Sequence, residues 1–165
     1  MLEKTSLGAV IAAILVLGVE GAPAASAASA DDACSLLTQA QLGAALGVAV
    51  GAGAYQTPTF KKTCTWNATG TVAKGAKYVT LMLEGADAYA AGKRTGQMKR
   101  QMKTISITPV SGIGNDAYYL ALNGNVGFNV KKGNVAFKIA VYGDLPIEKK
   151  QAMEKSLAQQ VVSKL

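Results

Sequence analysis

From residue 105 to residue 142, apolar and polar side chains alternate along four successive segments, 105–110, 117–122, 126–131 and 135–142. Asn123-Gly124 and Lys132-Gly133-Asn134 separate the last three. Period-two alternation puts every second side chain on one face of an extended chain, and Gly and Asn accept the positive φ that tight hairpin turns demand. A run of this kind predicts an antiparallel meander with one face against a core. Two further strands are expected upstream, at 61–66 and at 78–84, where Val79, Leu81 and Leu83 alternate with Thr80 and Met82.

Three helices punctuate these strands. Thr38 and Gln41 have the spacing of a capping box, with Leu37 and Leu42 placed as a hydrophobic staple and Gly47 as a left-handed stop, so a short helix is predicted over 39–46. Asp87 is expected to cap a second helix running to about residue 103, with Tyr89, Met98 and Met102 on its apolar side and Gly92 and Gly96 weakening it. Beyond Pro146, residues Ile147, Met153, Leu157, Val161, Val162 and Leu165 recur at helical spacing. The Gly- and Ala-rich stretch 48–59 reads as a loop with freedom to move. The order of elements implies an α+β fold, an antiparallel sheet of about five to six strands with helices packed on one face.

The first thirty residues belong to a different problem. Lys4 precedes an apolar stretch from Leu7 to Val19, and Ala25-Ser26-Ala27 and Ala28-Ser29-Ala30 are small-x-small cleavage sites. This is the pattern of a secretory signal peptide over 1–27, with cleavage as late as residue 30, and it leaves a single domain over 31–165 without a transmembrane segment. Removal of Lys4, Glu3 and Glu20 leaves 16 basic and 8 acidic residues, a net charge of +8. Export to the periplasm or the extracellular space favours pairing of the two cysteines, Cys34 and Cys64, as a structural disulfide joining the first helix to the first strand.

Cys34-Ser35-Leu36-Leu37-Thr38, Cys64-Thr65-Trp66 and the run from Val110 to Tyr119 (Val-Ser-Gly-Ile-Gly-Asn-Asp-Ala-Tyr-Tyr) resemble a group of small exported bacterial proteins best known as actinobacterial lipoproteins of unknown function. The resemblance spans most of the mature chain. It implies a Mog1/PsbP-like α+β sandwich, a paired cysteine framework and no established enzymatic activity. The chain departs from many such proteins in having no lipidation cysteine, so a membrane tether is not implied.

Chemistry-bearing motifs are sparse. The chain has no histidine, which excludes Ser-His-Asp and Cys-His catalysis and most zinc sites. No cofactor motif is present: Gly112-Ile113-Gly114-Asn115 lacks the third glycine and following helix of a dinucleotide loop, and reads as a turn in which Asp116 bonds to the backbone. Trp66 is expected to pack on the disulfide. Of the adjacent pair Tyr118 and Tyr119, one is expected in the core and the other exposed or lining a groove. The densest charge feature is Lys93, Arg94, Lys99, Arg100 and Lys103, five cations with no acid between Asp87 and Asp116. They are the candidate ligand-binding residues, weighed against a plain solvated helix face. The sequence thus points to a non-enzymatic exported binding module. Its expected partner is a protein, an anionic envelope polymer or a small ligand, met through a sheet face or a groove between sheet and helix. Nucleic acid is disfavoured by export. A histidine-free hydrolase using Ser-Lys or paired carboxylates, or a structural envelope protein, are the alternatives.

Overall fold

A computed structural model of the chain describes residues 31–70, 75–99 and 105–165. A 3-10 turn at Ala33–Ser35 leads into α1, Gln39–Leu46, followed by β1 (Ala54–Thr57), β2 (Phe60–Asn67) and β3 (Gly75–Gly85). Then come α2 (Ala86–Lys99), β4 (Ile105–Val110), β5 (Asp116–Leu122), β6 (Asn125–Lys132), β7 (Val135–Asp144) and α3 (Ile147–Val162). The class is α+β, as the alternation implies. The sheet has seven strands in the order β1-β2-β3-β7-β6-β5-β4, with every neighbouring pair antiparallel.

The capping box is present in full: the Gln41 amide donates to Thr38 Oγ1 at 3.2 Å, and the Thr38 amide donates to Gln41 Oε1 at 2.9 Å. Gly47 ends α1 in the left-handed conformation, φ 69°. The disulfide joins Cys34 to Cys64, but it ties the 3-10 turn to the second strand, because β1 forms within the stretch expected to be a loop. β1 is an edge strand of four largely exposed residues, so it carries no apolar alternation to read. The Tyr55 hydroxyl anchors it by donating to Asp32 at 2.9 Å. Closing a loop with a sequence separation of 30 stabilises the fold by roughly 2–4 kcal/mol, chiefly by restricting the unfolded chain.

Helices lie on both faces of the sheet, a correction to the expectation of one. α1 and α3 cover the main core, where Leu42, Leu157 and Val161 meet Trp66, Val79, Leu81, Phe128, Phe137 and Ile139. α2 lies across the opposite face, where Tyr89 packs with Ile107, Tyr118 and Ala136. The reason is topological. β3 is the third strand from one edge of the sheet and β4 forms the other edge, so the connection must cross four inter-strand spacings, about 19 Å. A helix of 14 residues is about 21 Å long. Consequently both members of the Tyr pair are buried. Tyr119 stacks on Phe128 and donates to the Gln151 carbonyl at 2.7 Å, while Tyr118 lies beneath α2.

The apolar side of α2 also differs from expectation. Tyr89 is buried, but Met98 is 66% exposed, and Met102 lies outside the described residues. Nine residues at about 100° each place Met98 diametrically opposite Tyr89. Gly92 and Gly96 share the Tyr89 side instead, and a Cβ on Gly96 would strike Ile107. Gly96 lets the helix lie close to the sheet, whereas a Cβ on Gly92 would make only an ordinary 3.6 Å contact with the Tyr118 hydroxyl.

The stretch 48–53 is likewise bound to the body. Gly51 donates to the Asn67 carbonyl at 2.8 Å, and Gly53 sits directly on the buried Trp66 and the disulfide. A Cβ at Gly53 would come within 2.6 Å of Trp66 Nε1 and 2.7 Å of Cys64 Sγ, whereas one at Gly51 meets nothing nearer than 3.7 Å. Gly53→Ala is therefore expected to cost about 1–3 kcal/mol. Gly51→Ala should stay within about 0.5 kcal/mol. Urea unfolding of the two variants checks the difference.

One carboxyl is sealed in the main core. Glu154 of α3 is fully buried, and its Oε1 accepts from the Val141 amide at 2.9 Å, just beyond the last β6–β7 partners, Phe128 and Ile139. Burial pushes its pKa up to about 8, against the opposing effects of the Val141 amide, Lys138 and Lys150. The folded protein therefore keeps a proton that the unfolded chain releases above its ordinary value of 4.5. This contribution is fully present below that value and is lost as pH rises through about 8. Between pH 5 and 9 the native protein should lose stability relative to Glu154→Gln by on the order of 4 kcal/mol, read from urea unfolding of both at each pH.

Candidate functional site

The turn before β5 shapes one wall of a cleft. Gly112 and Gly114 have φ of 80° and 61°, and a Cβ on Gly114 would collide with the Lys131 carbonyl. With glycine there, the turn lies flat on β6: the Asn115 amide donates to the Lys131 carbonyl at 2.8 Å and Asn115 Oδ1 accepts from the Gly133 amide at 2.6 Å. Asn115 thus joins the turn to β6, while the Asp116 carboxyl takes a bond from the Ala117 amide. The first residue of β5, Asp116, is the direct cross-strand partner of Lys131.

The other wall is α2, which projects Tyr89, Lys93, Arg94 and Gln97 toward this corner. Lys93 Nζ donates to Asp116 Oδ2 at 2.6 Å and stands 5.7 Å from the centroid of the Tyr118 ring. Beneath it the Tyr89 and Tyr118 rings meet at 5.3 Å between centroids, tilted by 57°. The space between the walls measures about 350 Å³.

Charge is distributed unevenly around it. Burial would raise the Asp116 carboxyl, but hydrogen bonds from Lys93 and Tyr89, the charge of Lys93 and the Ala117 amide outweigh it and hold the pKa below the usual carboxylate value. Burial, then the Asp116 charge, drives Tyr89 far above the ordinary tyrosine value, so its hydroxyl keeps its proton. That hydroxyl is buried yet has no hydrogen-bond partner of ordinary geometry among the described residues. Burial and the charges of Glu84 and Asp116 push Tyr118 up to about 12. Among the described residues, neither Arg94 nor Lys131 is in an ion pair.

Comparison of the chain with protein-family models, curated proteins and solved structures gives no match. The geometry therefore carries the functional argument.

Of the five basic residues singled out in the sequence, the three among the described residues do not share one face. Lys93 turns inward to Asp116, Arg94 and Lys99 are exposed, and Arg100 and Lys103 lie outside the described residues. Arg94 and Lys99 are five positions apart, about 140° around the helix, so of these two Arg94 alone lines the cleft. Tyr89, Asn115 and Lys131 are site residues that the sequence reading did not identify. Lys131 could have been found by pairing 117–122 with 126–131 through the Asn123-Gly124 turn, which sets it opposite Asp116.

A second concavity, of about 300 Å³, lies on the uncovered part of the same sheet face, lined by Gln56, Thr63, Thr65, Thr80, Met82, Lys138 and Tyr142. Its hydroxyl-rich surface is ordinary for the solvated side of an antiparallel sheet. No group of three or more Cys, Asp or Glu side chains is placed to hold a metal among the described residues, and no helix there is long and apolar enough to cross a membrane.

The electrostatics of the cleft predict a measurable displacement. Lys93→Met should raise the Asp116 pKa toward its ordinary value of 3.8, because burial is then opposed by Tyr89 and the Ala117 amide alone. Carboxyl NMR titration of the two proteins from pH 2 to 7 reads it.

Proposed function

We propose that this chain is an exported, non-enzymatic binding module that engages an anionic partner through the groove between α2 and the sheet. The observation that carries the reading is the convergence of Arg94 and Lys131, both without an acidic partner among the described residues, on a cleft whose one acid is already neutralised by Lys93. Unpaired cations at the rim of a concave site attract anions from a distance and hold them at close range. The net charge of +8 left after signal cleavage adds a long-range term of the same sign.

Export is part of the proposal. The secretory pattern of the first thirty residues supports it, and a disulfide is compatible with an oxidising compartment. The resemblance to small exported proteins with a Mog1/PsbP-like fold and no established enzymatic activity is in keeping with a binding role. An anionic envelope polymer or an acidic protein surface is the partner class that this chemistry favours.

The test is chromatography on a carboxylated polysaccharide resin with a salt gradient. The double variant Arg94→Glu/Lys131→Glu should elute at clearly lower salt than the native protein, while Lys149→Glu/Lys155→Glu on the exposed side of α3, with the same change in net charge, should shift much less. Equal shifts for the two would attribute retention to overall charge and remove the groove from the reading.

A further inference from the structure

We propose that the α2 cleft is a subsite for one acidic sugar residue, a carboxylate-bearing ring within an anionic polysaccharide. This rests on the anion-binding reading above and gives it a ligand class. Three features of the cleft select that chemistry. Arg94 and Lys131 supply a planar fork and a point charge for a carboxylate. Asp116 keeps 41% of its side chain exposed beside them, an acceptor that a ligand without hydroxyl donors would meet only as repulsion. Asn115 and Gln97 flank it with amide groups able both to give and to accept hydrogen bonds. A ligand carrying one negative charge and several hydroxyls satisfies all three; a polyphosphate satisfies only the first.

The floor of the cleft is the second observation. Tyr89 lines it at 2% exposure, with its hydroxyl covered and acting on the Asp116 carboxyl, so Asp116 is held ionised as an acceptor at the cleft. At about 350 Å³ the space is at the small end of ligand sites, suited to one or two sugar rings with the chain continuing over the exposed flank of α2.

The experiment is calorimetric titration of the disulfide-bonded protein with trigalacturonic acid, with its methyl ester and with sodium tripolyphosphate, in low salt. The acid is expected to bind, with about tenfold loss on esterification and about tenfold loss in Arg94→Gln or Lys131→Gln. Tripolyphosphate binding as tightly as the trisaccharide, or an ester binding as well as the acid, would overturn the acidic-sugar subsite; the first leaves the anion-binding reading standing. Binding of neither anion would overturn both.

Discussion

The ladder between β3 and β7 joins strands that are separated in sequence by a helix and three other strands, and the rest of the arrangement follows from it. It is the longest pairing in the sheet, running from Gly75 opposite Asp144 to Gly85 opposite Val135. Once β7 occupies the place beside β3, the meander must begin at the far edge and step back strand by strand. The chain leaving Gly85 is then obliged to cross the sheet before β4 can start. This crossing puts a helix on the second face, buries Tyr118, and creates the corner where α2, the turn at Gly112–Asn115 and β6 meet.

Local physics in the sequence carries the local structure. Alternation gave four strands of the meander to within a residue or two at each end, and the capping box gave α1 because both of its hydrogen bonds are made within four residues. Nothing local encodes which face a crossing helix covers. Tyr118 and Tyr119 read as one buried and one exposed residue, since a sheet with helices on one face leaves the other to water. The second face is closed by tertiary packing alone. β1 escaped for a related reason: an edge strand with one half-buried residue leaves no apolar trace, and its stability comes from pairing with β2 and from Tyr55 on Asp32.

The same distinction separates charge in the sequence from charge at a site. Lys93, Arg94 and Lys99 count equally in a composition, but the period of α2 sorts them. Lys93 falls some 40° from Tyr89 and faces the sheet, where Asp116 takes it up. Lys99 points elsewhere. Lys131, from a segment 37 positions beyond Arg94, joins it because β5 and β6 pair and α2 lies over them. Gly96 lowers the intrinsic helix propensity of α2 and also allows this approach, so a local defect and a tertiary requirement coincide there.

Two buried polar atoms lack a partner among the described residues, and they differ in kind. Glu154 Oε2 belongs to a carboxyl whose other oxygen holds the Val141 amide where β6 and β7 part, so its burial is explained by the sheet it repairs, and its raised pKa leaves it uncharged at neutral pH. The Tyr89 hydroxyl lies covered beneath α2, and the group it acts on is the Asp116 carboxyl, whose pKa it helps Lys93 to lower. The two therefore serve different elements: the carboxyl of Glu154 closes the sheet where β6 and β7 part, and the hydroxyl of Tyr89 supports the ion pair that joins α2 to β5.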